Sequence, residues 1–309
     1  MKELSKEAQD IILNSWSKGT TNSYNVYLKQ WFQYCEERNI IPKEMSIREG
    51  IEFLTYMFNE KKLGYSAINT ARSALSLFIG TNNNMSFGKQ DIVTKLLKGM
   101  FRLRPSLPKY TVMYDPEVVL NYLRTITDMT LKSLTLKLTT LLCFLTGQRN
   151  QTINSIDITH MHEEDDRIIF YIPDVLKTTT RSSHLDPLVL QAYHEEALCV
   201  VTHIKLYMDV TKSVRNSNTK LLLSYVAPHE PVSTATTARW IKESLKNAGI
   251  NTQTFTAHST RSASTSLAKT KGLAVSEIRK AAGWKPGSTF ARFYDRPIMG
   301  KNFGDTILS

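Results

Sequence analysis

The sequence LTLKLTTLLCFLTGQRN, residues 134–150, decides the fold. Between Leu134 and Leu145, apolar residues lie on nearly every side of a helix, which is typical of a helix buried at the centre of a domain. Gly147 follows this segment, and Arg149 then places a charge where neither a core nor an ordinary loop is expected to carry one. The pattern predicts a central helix with an arginine fixed near its end, where its guanidinium could bind a phosphate through two hydrogen bonds.

The sequence on either side of this helix predicts a mostly helical domain with a small antiparallel sheet. Asp115 followed by Pro116 opens one helix, and residues 233–248 form another that ends at Gly249. Residues 167–172 and 185–190 have strand character, and the polar residues 177–183 between them form a turn. We expect these elements to belong to one domain over residues 115–309.

The residues up to about 101 predict a separate all-helical bundle without a strand. One helix begins at Ser46, whose hydroxyl caps it while Glu49 completes a capping box. Residues 68–78 carry a helical apolar pattern, and Asp91 is expected to cap the helix that follows it. An earlier helix has a stripe of apolar residues at helical spacing, formed by Tyr24, Tyr27, Leu28, Trp31, Phe32 and Cys35.

A linker is expected between the two domains. Residues 102–114, RLRPSLPKYTVMY, contain two prolines and three cations, Arg102, Arg104 and Lys109, and have no helical period. We therefore place the domains at residues 1–104 and 115–309, with the linker at 105–114.

The charge of the chain favours a polyanionic partner such as nucleic acid. Lys and Arg total 39 against 28 Asp and Glu, a net charge of +11. Residues 1–105 carry +5 and the remainder +6, so that both domains could bind one polyanion. The three cysteines are far apart, which argues against a disulfide framework or a cysteine zinc site. No long apolar run or signal peptide is present, so an intracellular protein without a membrane span is expected.

Two further segments carry residues suited to phosphate chemistry. In TAHSTRSASTS, residues 256–266, His258 and Arg261 share one helical face and can hold one phosphate together. The alternative is a capping histidine at the surface beside a solvated arginine. In GWKPGSTFARFYDRP, residues 283–297, Trp284 precedes Tyr294, and Ser288 can cap a short helix that carries this tyrosine. A tyrosine near basic residues is a candidate nucleophile.

The ordered set of residues resembles the tyrosine recombinase family of the phage-integrase type. The family pattern is an Arg, a Lys on a β-turn, H-x-x-R, a His or Trp, and finally a Tyr. All six positions are filled in order, by Arg149, Lys177, His258, Arg261, Trp284 and Tyr294. The sequence segments TGQR, HSTRSASTS, GW and FYDRP look especially like those of recombinases from eukaryotic mobile elements, such as DIRS-like elements and Cryptons.

The resemblance covers nearly the whole chain and implies a two-domain clamp on double-stranded DNA. It implies an N-terminal SAM-like core-binding domain, a linker across the DNA, a catalytic domain, and a homotetramer on DNA. The reaction would pass through a covalent 3′-phosphotyrosine without a metal ion, a small-molecule cofactor or a membrane. The enzyme would act in the nucleus of a eukaryotic host, and otherwise in the cytoplasm.

The roles implied for the six residues follow the charges of phosphoryl transfer. Arg149 and Arg261 would stabilise the nonbridging oxygens. His258 would exchange a proton with the nucleophile, and Lys177 would protonate the leaving 5′ oxygen. Trp284 would offer its indole N–H to the phosphate and pack against the helix of Tyr294, the nucleophile.

Several alternatives remain at this point. Thr152 stands where many relatives carry an acidic residue. Either another group orients the neighbouring residues in its place, or the activity is reduced. Arg181 rivals Lys177 within the same turn, although only a lysine can donate its proton. His160 and His162, with the acidic residues 163–166, could bind a metal but are more typical of a solvated turn. The rival functions are a noncatalytic DNA-binding protein and a type IB topoisomerase.

Overall fold

The computed structural model describes residues 4–78, 85–106, 109–177, 179–181, 184–284 and 295–299. The chain divides into two compact units, residues 1–108 and 109–309, and the boundary falls inside the predicted linker. The protein is mainly helical with one small antiparallel sheet in the described residues, which confirms the predicted fold class. No helix of these residues is both long and apolar enough to cross a membrane.

The first unit is a bundle of helices with its own core. Ser46 and Glu49 form the predicted capping box at the start of the third helix. The prediction that Asp91 caps the fifth helix is wrong, because Gln90 holds the cap position and Asp91 is the first helical residue. There its carboxylate can still interact with the positive end of the helix dipole. The helices are α1 (Lys6–Leu13), α2 (Lys18–Glu37), α3 (Ile47–Asn59), α4 (Tyr65–Phe78) and α5 (Asp91–Leu103).

The second unit is built around the central helix predicted from residues 134–145. This helix is buried along most of its length and packs against four other helices of the unit. The helices are α6 (Pro116–Thr125), α7 (Leu131–Thr146, the central helix), α8 (Asn150–Asn154), α9 (Val200–Thr211), α10 (Thr234–Asn247), α11 (Ser259–Thr270) and α12 (Val275–Ala281). The three cysteines are buried in the two cores.

The sheet of the second unit has three antiparallel strands in the order β1 (Met161–Glu163), β2 (Arg167–Phe170) and β3 (Leu188–Gln191). The two predicted strands are confirmed but are shorter than expected. The prediction of a turn at His160 and His162 is wrong, since His162 lies in β1 and pairs with Ile169. Within the described ranges, no group of three His, Cys, Asp or Glu side chains is placed to hold a metal ion.

The end of the predicted linker is packed into the second unit. Met113 and Tyr114 are buried, and the rings of Tyr110 and Tyr114 both pack against Phe255. Arg104, by contrast, is held in the first unit, where its guanidinium donates hydrogen bonds to the carbonyls of residues 58 and 63. The basic residues of this segment therefore have different structural roles.

Candidate active site

Arg149 is positioned by the end of the central helix. Gly147 ends α7 with a φ of 57°, and a Cβ there would lie 3.3 Å from the Thr265 side chain on α11. Both the left-handed backbone and this close approach favour glycine. The hydroxyl of Thr146 accepts a hydrogen bond from the amide of Gln148, at 3.2 Å. The chain then turns so that the half-buried Arg149 precedes the first residue of α8.

Arg261 joins three segments of the site. Its side chain is buried, with an exposed fraction of 1%. The two terminal nitrogens donate to the carbonyls of Gly147, at 2.5 Å, and Ala282, at 2.8 Å. The guanidinium carbon lies 4.1 Å from the ring centroid of Trp284, a cation–π distance. The alternative of a solvated surface arginine is therefore wrong.

His258 lies immediately before α11, among the basic residues of the site. Desolvation lowers the pKa of its imidazole, and the charges of four cations lower it further. In order of decreasing effect these cations are Arg261, Arg149, Lys177 and Lys109. The site therefore concentrates positive charge around a histidine whose neutral form is favoured. Three of the predicted site residues are thus among the charges that act on a fourth.

Trp284 and Lys177 lie in separate segments of the second unit. Trp284 has an exposed fraction of 8% and belongs to a small cluster with Ile278 and Ala282. Gly283, with a φ of 65°, sets its direction, and a Cβ there would lie 2.8 Å from the Leu185 side chain. Lys177 is exposed in the turn between β2 and β3.

Two hydrogen bonds between residues 176 and 179 close the turn that carries Lys177. Its rival Arg181 is also exposed. Lys177 is close enough to lower the pKa of His258, which supports its membership of the site. Thr152, at the position that is acidic in many relatives, is buried on α8 with an exposed fraction of 4%.

Tyr294 and Ser288 lie outside the described residues, but the segment that follows Tyr294 is anchored. Asp295 forms an ion pair with Lys269 on α11, and the amide of Arg296 donates to the hydroxyl of Ser266, at 3.2 Å. Ile298 is buried and pairs with Met113 in a parallel bridge. Residues 295–299 therefore pack on their own unit.

Sequence reasoning missed three residues of this arrangement. Lys109 was predicted only as a linker cation, yet it acts on His258. Gln148 donates to the carbonyl of Ala281, at 2.6 Å, and Lys269 anchors the segment after Tyr294. These contacts join residues far apart in the chain, so that no local pattern could have indicated them.

Family models match both parts of the chain. The model for the phage integrase family matches residues 115–298, and the model for the phage integrase N-terminal SAM-like domain matches residues 4–81. No curated protein sequence matches the chain.

Solved structures with a similar fold come from the same family of enzymes. XerH site-specific recombinase bound to difH substrate has a TM-score of 0.62 at 16% identity, covering 93% of this chain and 77% of that chain. A λ integrase dimer bound to a COC′ core site has a TM-score of 0.57 at 16% identity, covering 96% and 77%. The Tn1549 transposon integrase in complex with circular intermediate DNA has a TM-score of 0.54 at 15% identity, covering 86% and 85%.

Proposed function

The chain belongs to the phage integrase family and is a tyrosine recombinase, and we propose that it breaks and rejoins DNA at specific sites through a covalent 3′-phosphotyrosine at Tyr294. The observation that carries this proposal is the buried guanidinium of Arg261, which binds the carbonyls of Gly147 and Ala282 and stacks on Trp284, and so joins the segments that carry three of the candidate residues. The charges of Arg149, Lys177 and Arg261 also lower the pKa of His258. Such a cluster of cations suits a reacting phosphodiester. Attack by a hydroxyl adds negative charge to the nonbridging oxygens, and fixed cations lower the energy of that state.

The two arginines serve the phosphate in different ways in this proposal. Arg149 is half-buried at the mouth of the site and binds the nonbridging oxygens directly. Arg261 contributes its positive charge from within the protein, because its guanidinium is buried beneath the site. Its hydrogen bonds to Gly147 and Ala282 hold the segments that lead to Arg149 and Trp284. Trp284 supports this guanidinium by cation–π stacking.

His258 and Lys177 move the two protons of the reaction in this proposal. A tyrosine hydroxyl ordinarily ionises near pH 10, so attack at neutral pH needs a proton acceptor and a positive field. The lowered pKa of His258 keeps its imidazole neutral and able to accept the Tyr294 proton. Lys177 then donates a proton to the leaving 5′ oxygen. These steps use only side chains of the protein, so that no metal ion is needed.

A nicked suicide substrate tests the nucleophile, because the cleaved fragment diffuses away and traps the covalent adduct. Wild-type protein should be trapped on the 3′ end, and Tyr294→Phe should give no adduct while its affinity for DNA stays nearly the same. An adduct in Tyr294→Phe, mapped to another residue, would refute the assignment.

A second substrate tests the general acid. Lys177→Ala should cleave slowly, and a 5′-bridging sulfur, whose leaving group needs no proton, should restore its rate. Failure of that rescue, or an equal rescue of Arg181→Ala, would assign the role to another residue.

Recombination requires two duplexes to be cut and exchanged, and we propose that four copies assemble on DNA. One of the similar solved structures is a λ integrase tetramer bound to a Holliday junction. The apolar tail from Ile298 to Leu308 is proposed to dock on a neighbouring copy, although Ile298 itself packs on its own unit beside Met113. Deletion of residues 299–309 should spare cleavage but abolish synapsis. Recombination of two plasmid sites, compared with relaxation of one supercoiled plasmid, separates this activity from that of a type IB topoisomerase.

The origin proposed for the protein is a mobile element. This proposal is based on the resemblance of the segments TGQR, HSTRSASTS and FYDRP to recombinases of eukaryotic mobile elements. The enzyme would then work where the host DNA lies, in the nucleus of a eukaryotic cell or in the cytoplasm of a prokaryotic one. Short repeats in the DNA that flanks the gene would support this origin, and their absence would argue against it.

A further inference from the structure

The first residues of the second unit are fixed beside the loop that leads to His258. The Tyr110 ring stacks on Phe255 with centroids 5.5 Å apart, and its hydroxyl lies 3.2 Å from the hydroxyl of Thr256. Tyr114 packs edge-on against the same Phe255 ring, at 5.1 Å. Since Phe255 and Thr256 come just before His258, three contacts tie this segment to the site.

Lys109 precedes Tyr110 and is held by its ring. The ammonium lies 5.3 Å from the ring centroid of Tyr110, within the range of a cation–π interaction. Lys109 is exposed, and among the described residues no carboxylate forms a salt bridge with it. Its charge nevertheless lowers the pKa of His258, together with the charges of Arg261, Arg149 and Lys177. The ammonium is thus near the site and is accessible to a ligand.

We propose that Lys109 binds the DNA backbone at a phosphate directly beside the one that reacts. This inference rests on the proposed function and adds a contact to the same site. Lys109 lies beside Tyr110, whose ring and hydroxyl contact Phe255 and Thr256 just before His258, so that its exposed ammonium is close to the edge of the site. Neighbouring phosphates of one strand follow at short intervals along the duplex. A lysine suits this role, since it binds phosphate as a point charge without demanding two parallel hydrogen bonds.

A scan of the DNA backbone with single methylphosphonates, which remove one phosphate charge at a time, tests this contact. The probe is a duplex that wild-type protein selects from a random-sequence library, and the readout is the dissociation constant. Lys109→Gln should weaken binding by about tenfold, the loss of one charge-assisted hydrogen bond. The dissociation constant of Lys109→Gln should also be unaffected by a methylphosphonate placed at the phosphate beside the reacting one. Lys109→Arg should remain sensitive to this methylphosphonate.

The control variant is Lys246→Gln, which removes an exposed lysine on α10. It should respond to every methylphosphonate as wild type does. If Lys109→Gln instead responds to all of them as wild type does, the contact is wrong. Binding alone shows whether Lys109 contacts one particular phosphate, and the cleavage position shows whether that phosphate lies beside the reacting one. A wild-type protein that forms no covalent adduct would refute the proposed function, while the loss of sensitivity at one phosphate in Lys109→Gln would still support the contact.

The position of Lys109 has an independent test in the DNA-free protein. The pKa of His258, measured by NMR titration, should rise in Lys109→Gln because one of the cations that lower it is gone. It should stay unchanged in Lys109→Arg and in Lys246→Gln, with Arg149, Lys177 and Arg261 still in place. An unchanged His258 pKa in Lys109→Gln would place the ammonium away from the site and overturn the inference.

Discussion

With His258 as the proposed proton acceptor, its positive surroundings should determine how the reaction depends on pH. Because the folded protein lowers the pKa of this imidazole, the neutral form persists to more acidic pH than in a free histidine, whose pKa is near 6.5. The rate of adduct formation should therefore stay constant from pH 8 to below pH 6.5. It should fall only when the pH drops below the lowered pKa of His258. Single-turnover rates on the suicide substrate measure this profile.

The control for this profile is His258→Gln, which cannot titrate. It should react more slowly than wild type and lack the acidic fall that belongs to His258. A fall centred at or above pH 6.5 in the wild-type protein would contradict the assigned role.

Lys137 is a second residue with an unusual environment, in the middle of α7. Its exposed fraction is 1%, and its ammonium donates to the carbonyl of Ile126, at 3.1 Å. Burial lowers the pKa of this amine, and its charge lowers the pKa of the buried His203. Holding a charged amine here costs stability, because the amine loses most of its hydration.

We predict that Lys137→Met raises the free energy of unfolding at pH 7 by about 1 kcal/mol. Below its ordinary pKa the amine is protonated in the unfolded chain, while the folded state binds the proton less tightly. Wild-type stability should therefore rise as the pH approaches 10.5, and its difference from the Met variant should shrink. Denaturant titrations at pH 7 and 9.5 measure this. Lys132→Met, which removes an exposed lysine paired with Glu243, is the control, and destabilisation by Lys137→Met at both pH values would contradict the prediction.

The helices that are defined by interactions between residues close in the sequence could be predicted from the sequence. The capping box at Ser46 and the Asp115–Pro116 start of α6 were visible because a cap and its partner lie within a few residues. The central helix was visible because no face of it is polar enough to meet water. The convergence of Arg261 on Gly147 was not visible, since the two residues are 114 positions apart.

Short or exposed elements escaped prediction for a physical reason. Strand β1 has three residues, none of them buried, so that no apolar alternation marks it. On α2, Phe32 was expected in the core but is 44% exposed, while Tyr34 is buried. The apolar stripe is narrower than the periodicity indicated, and tertiary packing decides which aromatic residue enters the core.

Helix α11 carries Arg261 near one end and the anchor for Asp295 near the other. Asp295 directly follows Tyr294, the proposed nucleophile, in the sequence, and it forms an ion pair with Lys269. We predict that Lys269→Met slows adduct formation by about tenfold, because small misplacements of a reacting group reduce rates strongly. DNA affinity should stay unchanged. Single-turnover rates and dissociation constants measure the two effects.

The matched control for this anchor is Lys271→Met. It removes an exposed lysine just after α11 that pairs with Glu117 instead of Asp295. It loses the same charge and should keep the wild-type rate. The exchange of Lys269→Asp with Asp295→Lys should recover part of the lost rate. A full rate in Lys269→Met would show that the ion pair does not position Tyr294.

At the scale of the whole molecule, the two units carry nearly equal positive charge, +5 over residues 1–105 and +6 over the remainder. In the first unit, Lys95, Lys98 and Arg102 form a basic stripe on one face of α5, opposite its buried face. They are exposed, and the described part of the chain offers them no salt bridge. Arg104 differs, since its guanidinium is bound to carbonyls of its own unit.

The last prediction concerns the sharing of one duplex by both units. If the basic stripe of α5 contacts phosphates, replacing Lys95, Lys98 and Arg102 by Gln should reduce the salt dependence of DNA binding, because fewer counterions are released. The slope of log K against log salt should fall by about 2.7 for three lost contacts. The catalytic rate at saturating DNA should stay the same, since all the proposed catalytic residues belong to the second unit. Replacing Lys18, Lys29 and Lys43, exposed lysines of the same unit that lie at least 11 residues apart in the sequence and form no continuous stripe, is the control of equal charge. An equal change of slope in both triple variants would show a general effect of charge. No change of slope in either variant would leave the second unit as the sole DNA-binding unit and refute the clamp.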